Sequence, residues 1–194
     1  MVVFIGLGNI GDEYSSTKHN AGFWVVNELA KRMNIAFKPG KGDYVYAEDR
    51  NKNIVLAKPT TGMNRSGLAV RQVLDNWNID LEDLYLIIDD VDLSLGTLRI
   101  RPSGGDGCHR GMESVIYQLN ENKFPRIRFG IKADDHTRPA EKYVLKPFRK
   151  QDQQLAEEMV LKTADAIFSI LNNGLNRTMS EFNRIDKTEE VING

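Results

Sequence analysis

Polar residues suited to acid–base chemistry recur just after the apolar runs of this sequence. Asn9 follows Val2–Gly6, and Asn64 follows Ile54–Lys58. Asp89, Asp90 and Asp92 follow Leu84–Ile88, and His109 and Arg110 follow a glycine-rich stretch. His19 and Asn20 open an amphipathic segment. Taken singly, such residues are caps and turns. Taken together, they are what water activation needs: a base, a carboxylate to orient it, and amide side chains to hold a carbonyl. Of the three histidines, His19 is the best base. It lies near an expected helix N-terminus, which disfavours the imidazolium and keeps the ring neutral. An aspartate at a neighbouring strand end would orient it. His136, in Asp134-Asp135-His136, reads as solvated. His109 adjoins Cys108, and neighbours on a helix do not face each other, so a Cys–His pair is not expected. Asp106, Cys108 and His109 offer metal-ligand atoms with no evident further ligand, so no metal is expected.

Other chemistries leave less trace. Gly6-Leu7-Gly8-Asn9-Ile10-Gly11 fits G-x-G-x-x-G, the phosphate turn of dinucleotide-binding proteins. That fingerprint needs a helix opening at the third glycine and an acidic residue ~20 positions on. Here Asp12–Lys18 does not read as a buried helix, and the later position offers Lys31 and Arg32. A tight turn that brings the backbone and Asn9 close to a ligand is the alternative. Ser66 stands in Asn64-Arg65-Ser66-Gly67, the wrong frame for a nucleophile elbow. Neither H-E-x-x-H nor a Walker lysine is present.

The elements that must position these residues alternate between strand and helix. Val2–Gly6 and Leu84–Ile88 are continuous apolar runs, the mark of strands buried on both faces. Asp43–Glu48 and Ile54–Lys58 read as a hairpin, Thr97–Arg101 as a strand with one wet face, and Arg126–Ile131 as another strand. Helices are expected over about 20–34, 66–77, from about Arg110, and over about 150–172, the last stopped by Asn172-Asn173-Gly174. A short helix and an acidic end follow. This alternation predicts an α/β fold: a single domain over residues 1–194, with a mixed, partly parallel twisted sheet flanked by helices, the C-terminal helices beginning near 150.

The chain has 194 residues, 41% hydrophobic and 27% charged, ordinary for a soluble globular protein. One cysteine excludes an internal disulfide and suits a reducing compartment. No run approaches the ~18 apolar residues of a membrane span, and Met1–Ile5 reads as a strand, so a cytoplasmic protein is expected. Net charge is −1 but uneven: residues 96–150 hold 12 Lys/Arg against 6 Asp/Glu. That middle third offers a basic face to a polyanion.

These residues also carry a family resemblance. Gly6-Leu7-Gly8-Asn9, Tyr14 and Thr17-Lys18-His19-Asn20-Ala21-Gly22 resemble the opening of bacterial peptidyl-tRNA hydrolases. Lys58–Thr61 with Met63–Gly67, Asp89–Leu93 with Gly96, Gly104–Met112, and Arg126–Ile131 resemble their later blocks, in order over about residues 3–148. The resemblance implies hydrolysis of the ester joining a peptide to tRNA, with no metal or cofactor. It implies peptidyl-tRNA as partner; no membrane partner is expected, and since nothing in the sequence suggests an obligate dimer, a monomer is expected. His19 would be the base and Asp89 its partner. Asn9 and Asn64 would bind the peptide carbonyl and the terminal adenosine region, with Met63 packed against the substrate and Tyr14 beside it. Arg101 and Arg128 fall where the family clamps a tRNA phosphate, and Arg99 shares their strand face. Ile10, Gly62 and Ser94 depart from the family pattern, as do Lys132 and Asp134-Asp135. So does Arg110, where asparagine is common; arginine donates but cannot accept a hydrogen bond. Arg110 is expected to donate to the substrate, or else to pair with Glu113 one turn on. The competing expectations are an RNA-binding member without catalysis and a dinucleotide-dependent oxidoreductase.

Overall fold

The computed structural model describes residues 1–134 and 137–184. Its strands are β1 (Val2–Gly6), β2 (Lys38–Pro39), β3 (Tyr44–Asp49), β4 (Ile54–Pro59), β5 (Leu84–Ser94), β6 (Leu98–Arg101) and β7 (Arg126–Lys132). They form one sheet in the order β2-β3-β4-β1-β5-β7-β6. The inner pairs β4–β1, β1–β5 and β5–β7 are parallel. The outer pairs β2–β3, β3–β4 and β6–β7 are antiparallel. The expected mixed sheet is therefore present. The two-residue β2 is an addition, too short to leave a periodic signal.

The helices are α1 (Ala21–Met33), α2 (Ser66–Trp77), α3 (Arg110–Leu119), α4 (Ala140–Tyr143), α5 (Gln153–Asn173) and α6 (Leu175–Phe182). They cover both faces. Val25, Val26 and Leu29 of α1 and Ile167 and Ile170 of α5 pack on Phe4, Ile87, Ile127 and Phe129. Val70 and Val73 of α2 and Met112 and Val115 of α3 pack on Ile5, Val55 and Leu86 of the other face. Burial on both faces explains why β1 and the first half of β5 read as unbroken apolar runs. α1 ends where expected, with Asn34 in the left-handed region at φ 53°. The last long helix starts at Gln153, after a 3-10 turn over Lys150–Asp152. Among the described residues, no helix is long and apolar enough to cross a membrane.

One departure matters for function. Asp89, Asp90 and Asp92 do not follow a strand but lie inside β5, which runs on to Ser94. β1 pairs with β5 only as far as Gly6 opposite Ile87, whereas β7 keeps pairing to Gly130 opposite Asp90. Beyond Ile87, β5 has thus lost one neighbour. The space beside it opens at the carboxyl end of the sheet, and Asp89 sits in that gap. In open α/β sheets this is where ligands bind.

Candidate active site

Asp89 is 3% exposed and receives two imidazoles on one oxygen. His19 Nδ1 lies 2.8 Å from Asp89 Oδ1, and His109 Nε2 lies 3.0 Å from the same atom. The two rings lie 4.9 Å apart, centre to centre, and come from elements that pack on different faces of the sheet. His19 belongs to a 3-10 turn, Lys18–Asn20, leading into α1, and its N–H donates to the Val144 carbonyl at 2.9 Å. His109 is the N-cap of α3 on the other face.

The cap fixes the tautomers. His109 Nδ1 accepts from the N–H groups of Gly111 and Met112, at 3.1 and 3.2 Å. A nitrogen that accepts carries no proton, so the His109 proton is on Nε2 and is donated to Asp89. An ionised Asp89 accepts only, so His19 also donates, from Nδ1, which leaves the His19 Nε2 lone pair free. Both nitrogens of His109 are in use, so His19 Nε2 is the available imidazole base among the described residues. Burial pushes the Asp89 carboxyl up, but the two imidazoles more than offset that and hold it well below the usual carboxylate range.

The His19, Asp89 and His109 ligand atoms are close enough together to hold a metal ion. However, a metal on His109 Nε2 would move the ring proton to Nδ1, which already faces two backbone N–H donors. The donor set fits a hydrogen-bonded triad better than a metal. The weaker trio weighed from sequence does not converge: Asp106 Oδ1 accepts from the Cys108 N–H at 2.7 Å, and Cys108 is exposed. No Cys–His pair forms. The role of His109 was not expected from sequence. A signal was there, because position 109 directly precedes the expected α3, and a cap acceptor is needed at that place.

His19 and Asp89 line a cavity of about 890 Å³. Asn9, Met63, Asn64, Arg101, Arg110 and Arg128 line it too, whereas Tyr14 and Arg99 do not. Tyr14 serves a turn, its carbonyl accepting from the Thr17 N–H and hydroxyl. Asn9 is held tightly: its N–H donates to Asn20 Oδ1 at 2.8 Å, and its carbonyl accepts from Asn20 Nδ2 at 2.9 Å. Its own Oδ1 accepts from the Met63 N–H at 2.9 Å. That bond fixes the amide orientation and leaves Nδ2 as the donor. The literal G-x-G-x-x-G turn does not open a helix; Gly11, at φ 120°, precedes a 3-10 turn over Asp12–Tyr14.

β6 and β7 supply the charge. Their register sets Arg99 opposite Arg128 and Arg101 opposite Arg126, so four arginines share the face opposite Leu98, Ile100, Ile127 and Phe129. Arg126 was not singled out from sequence, although the Arg126-Ile127-Arg128 alternation carries the signal. It is buried and donates to the carbonyls of Phe124, Gly105 and Asn122, holding the loop that leads to His109. Burial lowers its pKa to about 10, so it keeps its charge at neutral pH. Arg128 is paired with Asp90, which takes up part of its charge. Arg110 is exposed at the cavity wall and forms no ion pair with Glu113. His136 lies outside the described residues.

A buried His–Asp pair, amide side chains and arginines thus surround one cavity at the carboxyl end of the sheet, a set suited to a hydrolase acting on an anionic substrate. Comparison with known proteins narrows this class. The family model described as peptidyl-tRNA hydrolase matches residues 3–190. A peptidyl-tRNA hydrolase of Thermoanaerobacter sp. (strain X514) is 43% identical over 190 residues, covering 94% of this chain and all of that one. Its counterpart in Geobacillus thermodenitrificans is 40% identical over 185 residues. The crystal structure of peptidyl-tRNA hydrolase from Acinetobacter baumannii is 27% identical, covers 94% of each chain and superposes with a TM-score of 0.87. This chain belongs to the peptidyl-tRNA hydrolase family.

Proposed function

We propose that the chain hydrolyses the ester bond between the peptide and the terminal ribose of peptidyl-tRNA, releasing free tRNA and peptide. The observation that carries this reading is the buried contact of His19 Nδ1 with Asp89 Oδ1 at 2.8 Å in the cavity wall, which leaves Nε2 as the base. Nε2 takes a proton from water as the water oxygen bonds to the ester carbonyl carbon. The ionised Asp89 stabilises the imidazolium that forms. As the ester C–O bond breaks, the same proton passes to the departing ribose oxygen. The Asn9 amide nitrogen and Asn64 donate to the carbonyl and the terminal nucleoside region, and Met63 packs against the substrate. Arg101 and Arg128, with Arg99 on the same sheet face, bind backbone phosphate, and Arg110 donates to the substrate. The intact His19–Asp89 pair disfavours a purely RNA-binding role, and the missing helix at Gly11 disfavours a dinucleotide site. Peptidyl-tRNA is a product of interrupted translation. We therefore place the protein in the cytoplasm; that it works as a monomer is a separate proposal, which light scattering of the pure chain will test.

The test of the activity is release of tRNA from peptidyl-tRNA by the purified protein and by its His19→Ala variant. Loss of the base is expected to lower single-turnover rates by roughly 10²–10⁴-fold, with the fold kept. A variant as fast as the parent would refute the assignment.

A further inference from the structure

Lys18, next to the base, is a lysine out of its usual place. Its side chain is 4% exposed, and it forms no ion pair among the described residues. Lysine is almost never fully buried without a partner, because desolvating an ammonium is costly. Here the ammonium Nζ donates to the carbonyl of Pro147 at 2.8 Å and to that of Lys146 at 3.3 Å. It also lies 4.3 Å from the centre of the Tyr143 ring and 5.0 Å from that of Phe148. Two carbonyls and two ring faces, all from residues 143–148, thus converge on one cation. Burial lowers the Lys18 pKa. Asp134 and Asp152 partly oppose that, and Lys146 and Arg149 add to it.

The segment so gathered is the one that holds the base. Val144 O accepts from the His19 N–H, Lys146 O accepts from the Lys18 N–H, and Thr17 bridges to Pro147. The far end of the segment is tied to β7, with the Tyr143 hydroxyl donating to the Ile131 carbonyl at 2.8 Å. Val144 and Leu145 then form part of the cavity wall. A methionine in place of Lys18 would fill the same apolar volume without the desolvation cost. What the cation adds is the pair of hydrogen bonds to the Pro147 and Lys146 carbonyls, which a methionine cannot make.

We propose that Lys18 is a positioning residue: its ammonium gathers the 143–148 segment so that Val144 holds His19 with Nδ1 on Asp89 and Nε2 toward the cavity. The kinetic part of its test rests on the hydrolase reading above; the spectroscopic part does not.

The experiment compares the parent, Lys18→Met and Lys18→Arg. A guanidinium can donate to carbonyls and stack on rings as an ammonium does, so arginine is the conservative replacement. Proton NMR reads the two imidazole N–H groups that donate to Asp89, that of His19 and that of His109. His109 is held by its own cap on α3 and serves as an internal control. In Lys18→Met the His19 N–H signal is expected to be lost to exchange while the His109 signal persists. kcat on peptidyl-tRNA is expected to fall at least tenfold, and Lys18→Arg to restore both readouts to within about threefold. Both signals retained in Lys18→Met with parental kcat would overturn the proposal. So would loss of both signals together, or a Lys18→Met chain that does not fold, since the ammonium would then serve general stability. If the parent itself releases no tRNA, the hydrolase reading fails, and the NMR comparison still decides the role of Lys18.

Discussion

Asp89→Asn separates charge from geometry in this site. An asparagine at this position inside β5 can turn either its oxygen or its amide nitrogen toward the two imidazoles. Turned nitrogen-first, it would face two N–H donors, and His19 would have to move its proton to Nε2, destroying the base. In serine proteases the equivalent change allows the wrong tautomer and costs about 10⁴ in turnover. Here His109 opposes that outcome. Its Nδ1 is committed to the α3 cap, so its Nε2 proton cannot leave, and it demands an acceptor 3.0 Å away. The asparagine oxygen is therefore expected to stay where Asp89 Oδ1 was, and His19 to keep its tautomer. What is lost is the attraction between carboxylate and imidazolium. For charge centres ~4 Å apart at an effective dielectric of about 20, that attraction is about 4 kcal/mol. This bounds the effect at about 10³, because the neutral amide oxygen still accepts the hydrogen bond. The expected result is a loss of roughly 10²–10³ in single-turnover rate, with tRNA affinity by filter binding unchanged. A loss of 10⁴ or more would show that the tautomer had flipped despite His109. A loss under tenfold would show that Asp89 is not the partner of the base, and a collapse of affinity would make it a binding residue.

The arginines and the family departure at Arg110 give the other tests. Arg101→Ala is expected to flatten the log–log salt dependence of tRNA binding by up to about one unit, and Arg128→Ala by less, because Asp90 already offsets its charge. Equal, unchanged slopes in both variants would remove the proposed phosphate contact. Arg110→Ala is expected mainly to raise KM, and Arg110→Asn to keep turnover within about tenfold of the parent. Abolished turnover at saturating substrate in Arg110→Ala would place Arg110 in the catalytic machinery, whereas unchanged constants in both variants would make it a solvated surface residue.

How much of this was legible beforehand depends on the range of the interaction. Local periodicity set the strand–helix alternation and the unbroken apolar runs of β1 and β5, because burial on both faces writes itself into consecutive residues. The edge strand β6 was legible from the opposite pattern, alternation, with Leu98 and Ile100 buried and Arg99 and Arg101 wetter. The expectation of His19 as base came from residue type and place, and that of a basic middle third from charge; the pairing with Asp89 specifically came from the family resemblance, and the structure shows that contact. Nothing local, by contrast, told where β5 would end. Its extension through Asp89 depends on β7 pairing past the point where β1 stops, a contact between residues some forty positions apart. The joining of His19 and His109 on one oxygen needs both faces of the sheet to be built first, and the His19 tautomer follows from a helix cap on a different element. Lys18 is the limiting case. Its residue type predicts a solvated charge, and only the folding of residues 143–148 over it makes a buried cation beside the base. Sequence alone determined the main elements and the inventory of reactive groups, but not β2, α4 or the extension of β5. The tertiary structure decided which groups share a proton, because hydrogen bonds have a reach of about 3 Å and fix direction, neither of which sequence spacing encodes.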